Sequence, residues 1–377
     1  MENQEDMIKM FTDKISKIME NVKKPNIIVV GKTGVGKSTL INNVFRENLE
    51  ETGSGKPVTQ HLRRIERSEI PVVLYDTRGL ELKEEVQEQI KTEIIDIIRD
   101  SRKTGDEGQY IHAIWYCVNA QSNRLEEVEQ ELIKYLSSEV VDVPIFLVIT
   151  QCFKNKQANE FIHSIEDMNM DIKSIIPVMA EDFEIMPGQV MNAYGLDKLV
   201  EVTYREIPES VQRGFINAQK VNLEAKEKAA RKWVRRYIKS TFVTGFSPLP
   251  GSDAPLLVAQ QITMLAHITA IFGIEMDKAI LTATVSSLLG SGTASLAGKT
   301  IVSNLLKLIP GVGTIAGGMI SGSTAAVLTA SMAEAYIKLM VKLVQDGDKK
   351  KLEHKQETFE ELGKMFQEEL EKGTRTV

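Results

Sequence analysis

The residues with the clearest chemistry form one run, Gly31-Lys32-Thr33-Gly34-Val35-Gly36-Lys37-Ser38. Its spacing, G-x-x-x-x-G-K-[ST], is that of a loop that cradles phosphate. Glycines let the backbone turn tightly, so several N–H groups converge on one phosphate group. The apolar Ile27-Ile28-Val29-Val30 precedes the run, and Thr39-Leu40-Ile41-Asn42-Asn43-Val44-Phe45 reads as a helix after it. A helix N-terminus at that point adds its dipole to the anion site. Lys37 can reach the β and γ phosphates of a nucleoside triphosphate, and Ser38 can hold Mg2+ through its hydroxyl. The competing reading is a chance glycine-rich turn, which motif and context together disfavour.

Two downstream features match what such a loop requires. Val73-Leu74-Tyr75 leads into Asp76-Thr77-Arg78-Gly79. A carboxylate at the C-terminal end of a strand stands on the metal side of a doubly wound sheet. Gly79 leaves its N–H open to a γ-phosphate. An isolated D-x-x-G is more often a turn; its place one strand after the phosphate loop gives it weight. Between the two lies Gly53-Ser54-Gly55-Lys56-Pro57-Val58-Thr59. Its terminal hydroxyl can join the metal only when a γ-phosphate orders the segment. The plainer alternative is a surface loop with an incidental threonine. Lys37, Thr59 and Gly79 are the expected catalytic positions. Ser38, Thr59 and Asp76 are the expected metal ligands, Asp76 through water.

Those residues need a scaffold that gathers strand ends and loops. The short apolar runs 72–75, 114–118, 145–149 and 175–178 read as buried parallel strands. Residues 83–99 and 124–136 read as helices between them. This alternation predicts an α/β domain, a mostly parallel sheet with helices on both faces, followed by an all-α domain. The expected divisions begin with an amphipathic helix over 1–24, with Met7, Phe11, Ile15, Ile18 and Val22 on one face. The nucleotide domain spans 25–212, an apolar helical domain with a basic first helix spans 213–345, and a charged helical tail spans 346–377.

The chain has 377 residues, with 46 Lys plus Arg against 52 Asp plus Glu, a formal charge of −6. That balance excludes a generally basic, nucleic-acid-coating protein and leaves room for a local basic patch. A 42% hydrophobic, 26% charged composition is that of an ordinary folded chain. Cys117 and Cys152 are too few for a disulfide framework and lie in no paired metal spacing. Such cysteine usage fits a reducing compartment. The acidic start Met1-Glu2-Asn3-Gln4-Glu5-Asp6 is unlike a secretory signal. A cytoplasmic location is the expectation.

The run from Gly31 to Asn42 resembles the phosphate loop of the Ras-like P-loop GTPases, in particular their Era-like and septin-like, translation-factor-related class. Gly55-Lys56-Pro57-Val58-Thr59 looks like the first switch of that class, and Asp76-Thr77-Arg78-Gly79 like the second. The resemblance implies GTP and GDP as ligands, with Mg2+, and hydrolysis of GTP as a switch. It implies binding through Gly31, Lys32, Thr33, Gly34, Val35, Gly36, Lys37, Ser38, Thr39, Thr59, Asp76 and Gly79. It also implies a base-reading loop, Asn/Thr-Lys-x-Asp, where this chain has Thr150-Gln151-Cys152-Phe153. Phe153 stands in place of the acid that accepts from guanine, so a weaker preference for guanine is expected, with ATP left open. Thr150 and Gln151 keep base-side roles, and Ala180 in Met179-Ala180-Glu181 could offer its N–H to guanine O6. Leu80 follows Gly79 where Ras-like enzymes use a water-orienting Gln, so slow hydrolysis is expected. A nucleotide-binding module with negligible hydrolysis is the rival reading. Residues 248–273 are similar to an apolar helical domain of unknown function that follows some bacterial GTPase domains.

The C-terminal half supports two readings. Ala254–Ile274, Ala279–Gly298 and Leu308–Ala333 are uncharged, and each has the length of a membrane span. Their glycines and small residues suit a tightly packed soluble helical domain, or close packing within or on a membrane. His267, alone on an apolar face, reads as a satisfied core histidine. Lys226, Lys228, Arg231, Lys232, Arg235, Arg236 and Lys239 crowd one helix beside Trp233 and Tyr237. That pattern suits anionic lipid headgroups, a solvated helix face or, less well, RNA phosphates. The lipid reading puts the protein at the inner face of a membrane, peripherally or integrally. A nucleotide-dependent dimer or a protein effector is a further expected partner. Leu352, Phe359, Leu362, Phe366 and Leu370 give the tail a helical spacing.

Overall fold

The computed structural model describes residues 2–46, 56–68, 70–77, 84–239, 253–274 and 322–346, together with Met365, Glu368, Glu369 and Lys372. Gly53–Gly55, Arg78–Leu80, the stretch 279–298, residues 308–321 of the third uncharged stretch and most of the tail lie outside them. In chain order the elements are α1 (Glu2–Glu20), β1 (Asn26–Val30), α2 (Lys37–Val44), β2 (Lys56–Pro57), β3 (Leu62–Glu66), β4 (Val73–Thr77), α3 (Glu84–Lys103), β5 (Ile111–Asn119), α4 (Glu127–Glu139) and β6 (Ile145–Thr150). Then follow α5 (Lys156–Glu166), β7 (Ser174–Pro177), β8 (Phe183–Met186), β9 (Gln189–Met191), α6 (Leu196–Glu206), α7 (Glu209–Ala218), α8 (Leu223–Ile238), α9 (Asp253–Phe272) and α10 (Gly322–Asp346). The chain divides into two compact units, Val22–Asn222, and Met1–Asn21 with Leu223–Val377.

The first unit is a seven-stranded sheet in the order β2-β3-β4-β1-β5-β6-β7. Strands β4, β1, β5, β6 and β7 are parallel, and β2 and β3 add an antiparallel edge. Side chains alternate across the pleat. Ile27, Val29, Trp115, Cys117 and Val148 share a core with α2, α6 and α7. Ile28, Val30, Tyr116, Leu147 and Ile149 share the other with α3, α4 and α5. Because both faces are covered, the central strands are apolar throughout, which is why they were legible as unbroken runs. β3 is different: Leu62 and Ile65 are buried, while Arg63, Arg64 and Glu66 are not. No apolar run marks it, and the sequence reading passed over it.

The register places the end of the sheet that carries the phosphate loop. Val29 of β1 lies opposite Asp76 of β4, Val30 opposite Tyr116 of β5, and Asn119 opposite Thr150 of β6. The C-terminal ends of four strands therefore share the edge at which the phosphate loop leaves β1. At the opposite end, buried His112 accepts the Asn26 N–H at Nδ1 (2.9 Å), and its Nε2 lies 2.9 Å from the Glu107 carbonyl. Asn26 in turn donates Nδ2 to the Gly108 and Tyr110 carbonyls. Burial holds His112 below the ordinary histidine range, in its neutral form.

In the second unit the described elements are helices, and α9 and α10 are held to α8 by polar anchors. Lys226 is not part of a basic surface: it is buried, and its ammonium donates to the Phe272 carbonyl (2.9 Å) at the C-terminus of α9. That placement satisfies an otherwise open helix end. Arg231 is likewise engaged, donating Nη2 to Glu334 of α10 (2.7 Å) and pairing with Glu227 (2.9 Å). Lys228, Lys232, Arg235, Arg236 and Lys239 lie on the exposed side of α8. His267 stacks on Trp233 at 4.2 Å, with Nδ1 2.9 Å from the Thr263 carbonyl. Among the described residues no helix is long and apolar enough to cross a membrane, α9 with its stretch 254–272 included.

Candidate nucleotide-binding site

Gly31 opens the phosphate loop hard against β5. A Cβ at this position would stand 2.5 Å from the Cys117 carbonyl oxygen, so only glycine fits. The Cys117 thiol is fully buried, and burial pushes its pKa up to about 12, which makes it an inert core group. Gly36 caps α2 with φ 95°, a left-handed conformation that glycine takes at little cost. Lys37 is the first residue of α2, and its ammonium folds back to donate to the Gly31 (2.8 Å) and Lys32 (3.1 Å) carbonyls. A fixed cation thus stands over the loop. Thr33, Gly34 and Ser38 are exposed, Thr39 is half-buried and Val35 is buried. Lys32 reaches away from the loop to form an ion pair with Glu129 of α4.

The base-side loop is tied to the phosphate loop. The Thr150 hydroxyl donates to the Val35 carbonyl at 2.5 Å. Gln151, at φ 49°, accepts from Asn119 Nδ2 through its side-chain oxygen (3.2 Å). Its Nε2 lies beside Gly36, 3.7 Å from where a Cβ there would stand. Tyr194 donates its hydroxyl to the Cys152 carbonyl at 2.6 Å, fixing the loop from behind. Phe153 packs edge-to-face on Phe183 of β8, with ring centroids 5.0 Å apart. Ala180, just after β7, is half-buried against the sheet core.

Asp76 and Thr59, the residues expected in the two switches, have partners that local sequence did not reveal. Asp76 is buried at the end of β4 and accepts from Arg63 Nη2 of β3 at 3.3 Å. The Thr59 hydroxyl donates to the Glu93 carboxylate of α3 and accepts from the Leu62 N–H at 3.0 Å. The same carboxylate accepts the His61 N–H (3.1 Å) and lies 3.0 Å from His61 Nδ1. The phosphate loop, Thr150 and Gln151 are brought together; Thr59 is committed to α3. Glu93, His61 and Arg63 carry no local signal, because each acts across 13 or more residues of chain or within an unrecognised strand.

The residues present suit phosphate and Mg2+. Positive-φ glycines, the start of α2 and the Lys37 ammonium form an anion cradle. Ser38 and Asp76 are hard oxygen donors on neighbouring elements, the kind that Mg2+ takes alongside phosphate oxygens. Among the described residues no group of three or more His, Cys, Asp or Glu could hold a metal by itself. Ser38 and Asp76 are the residues that would hold the ion, which would supply neutralisation of phosphate charge.

Two family models match parts of the chain. The family described as 50S ribosome-binding GTPase matches residues 26–151, and the domain of unknown function DUF697 matches residues 211–364. The chain is similar to the GTPase Era of Aquifex aeolicus, 25% identical over 190 residues, which cover 48% of this chain and 56% of that protein. It is also similar to the probable GTP-binding protein EngB of Methanococcus aeolicus, 36% identical over 84 residues, covering 21% of this chain and 36% of that one. A crystal structure of a probable GTP-binding protein EngB is similar at 24% identity and a TM-score of 0.31, covering 41% of this chain and 89% of its own. The chain spans from about a third to just over half of the length of the curated relatives it matches. Residues 26–151 are accordingly a P-loop GTPase domain of the Era-like kind, followed in the same chain by a DUF697 domain.

Proposed function

We propose that this protein binds GTP with Mg2+, hydrolyses it slowly, and uses the change as a switch for its helical unit. In this reading residues 25–212 hold the nucleotide and residues 213–345 carry the response. The supporting observation is the Lys37 ammonium, held over the loop by the Gly31 and Lys32 carbonyls. A cation fixed in advance needs no reorganisation when charge builds on the transferring phosphoryl group. Ser38 and Asp76 serve the metal, Asp76 through water. Thr59 and the Gly79 N–H respond to the γ-phosphate, and hydrolysis releases them. Thr150, Gln151 and the Ala180 N–H face the base.

The exposed side of α8, with Lys232, Arg235, Arg236 and Lys239, suits an anionic lipid surface and a place at the inner face of a membrane. A protein effector or a nucleotide-dependent dimer is the other partner class. A second reading, a binding module with negligible hydrolysis, draws support from Phe153 in the base loop and Leu80 after Gly79. Single-turnover hydrolysis of GTP, with and without Mg2+ and with and without anionic vesicles, separates the two. A Mg2+-dependent burst of phosphate supports the switch. Bound nucleotide that stays intact in every arm supports the module.

A further inference from the structure

We infer that Glu93 and Arg63 are positioning residues that restrain the metal-binding side of the site, so that a triphosphate must loosen contacts which a diphosphate leaves in place. This inference rests on the nucleotide reading above.

Glu93 gathers three groups from three consecutive residues' worth of loop: the Thr59 hydroxyl, the His61 N–H and His61 Nδ1. Its side chain is 18% exposed, so water competes poorly for the carboxylate. Hydrogen bonds to an ionised acceptor are about twice as strong as neutral ones. The Thr59 hydroxyl also accepts from the Leu62 N–H, so two of its three hydrogen-bonding positions are used. It can serve a metal only by leaving α3 or by carrying the carboxylate with it.

Arg63 restrains the same segment from its other end. It lies directly opposite Asp76 in the β3–β4 ladder, and the two form an ion pair at 3.3 Å with both side chains largely buried. The carboxylate read as serving the metal is therefore already engaged by a cation of β3. Residues 59–63 are therefore tied at one end to α3 and at the other to the carboxylate the metal needs. A γ-phosphate offers compensating bonds to this segment; a diphosphate has none to offer. Glu93 thus tunes how sharply the site separates the two ligands, while Arg63 holds the far end of the same segment.

The test compares wild type with Glu93→Gln and Glu93→Ala in the full chain. Amide exchange over residues 58–62 is measured without nucleotide, and affinities are measured for Mg2+ with guanosine 5′-(β,γ-imido)triphosphate and with GDP. Both variants should exchange faster in that segment, by roughly tenfold, and bind the triphosphate analogue roughly tenfold more tightly, with GDP affinity unchanged. Unchanged exchange, or an equal shift for both nucleotides, overturns the inference. Weaker triphosphate binding in the variants also overturns it, since Glu93 would then assist the metal-bound state. If wild type and variants bind neither nucleotide, the nucleotide reading fails, and the exchange rates alone decide whether Glu93 holds the loop.

Discussion

Lys32 of the phosphate loop and Glu129 of α4 form an ion pair at 3.2 Å, and the Glu129 side chain is only 3% exposed. Glu129 also accepts the Glu126 N–H at 3.0 Å, as the inner partner of a capping box at the start of α4. One buried carboxylate therefore ties the loop that cradles phosphate to the helix after β5. Removing one partner of a buried pair costs more than the pair contributes, because the other charge is left uncompensated. Lys32→Met should destabilise the first unit by about 2 kcal/mol, less than a fully buried pair would lose because Lys32 is partly solvated. The double change Lys32→Met with Glu129→Gln should recover much of that loss. Urea midpoints of Lys32→Met, Glu129→Gln and the double variant read it, and strictly additive losses would show that the two side chains are not coupled.

The base loop makes a prediction about selectivity. Phe153 has no acceptor for guanine and is packed against Phe183. Restoring the acid in Phe153→Asp should raise the ratio of GTP to ATP affinity. A wild-type protein that already discriminates by more than about 10⁴-fold, as a fully hydrogen-bonded site can, must read the base with another residue.

His112 gives the first unit a pH dependence. Its burial lowers the folded-state pKa, so between that value and the ordinary one of about 6.5 the unfolded chain binds the extra proton. Its contribution to stability is therefore complete above about pH 6.5 and is lost as pH falls toward the folded value, at no more than about 1.4 kcal/mol per pH unit. Protonation also removes the acceptor for the Asn26 N–H. Denaturant unfolding at pH 7.5 and 5.5 should show a steeper loss for wild type than for His112→Gln. Identical slopes would mean that His112 does not titrate in this way.

The basic helix separates into two roles. Arg231→Gln should lower the stability of the helical unit by about 1 kcal/mol, because it breaks a bidentate pair with Glu334 that is partly exposed. Replacing Lys232, Arg235, Arg236 and Lys239 by Gln should release the protein from anionic vesicles, each charge near such a surface contributing about 1 kcal/mol. Co-sedimentation with anionic and with neutral vesicles, at low and high salt, reads the second effect. A protein that stays in the supernatant at low salt with anionic vesicles rules the lipid surface out.

The sequence was most informative where chemistry and burial are contiguous. Gly31 to Ser38 is a single run, and β1, β5 and β6 announce themselves because both faces of the sheet are covered. The partners of that machinery were hidden for a physical reason. Glu93 reaches Thr59 across 34 residues and Glu129 meets Lys32 from a different helix, contacts that only the fold creates. β3 was missed because Arg63 and Arg64 interrupt the apolar signal. Lys226 was read as surface charge, yet Lys226, Ala230 and Val234 recur every four residues and form the buried stripe of α8. That spacing was present in the sequence; the charge of Lys226 masked it. The β8–β9 hairpin is exposed at every position but half-buried Met191, so no alternation pointed to it.

Isothermal titration of Mg2+ with GTP into wild type and Lys37→Ala tests the central claim most directly. Lys37 supplies the cation over the phosphate loop, and its contacts are to carbonyls of the loop itself, so its removal should spare the core. Wild type should bind one equivalent of nucleotide, and Lys37→Ala should give no measurable binding while its thermal unfolding stays close to wild type. Equal affinity in the two proteins would contradict the assignment of residues 31–38 as the nucleotide site.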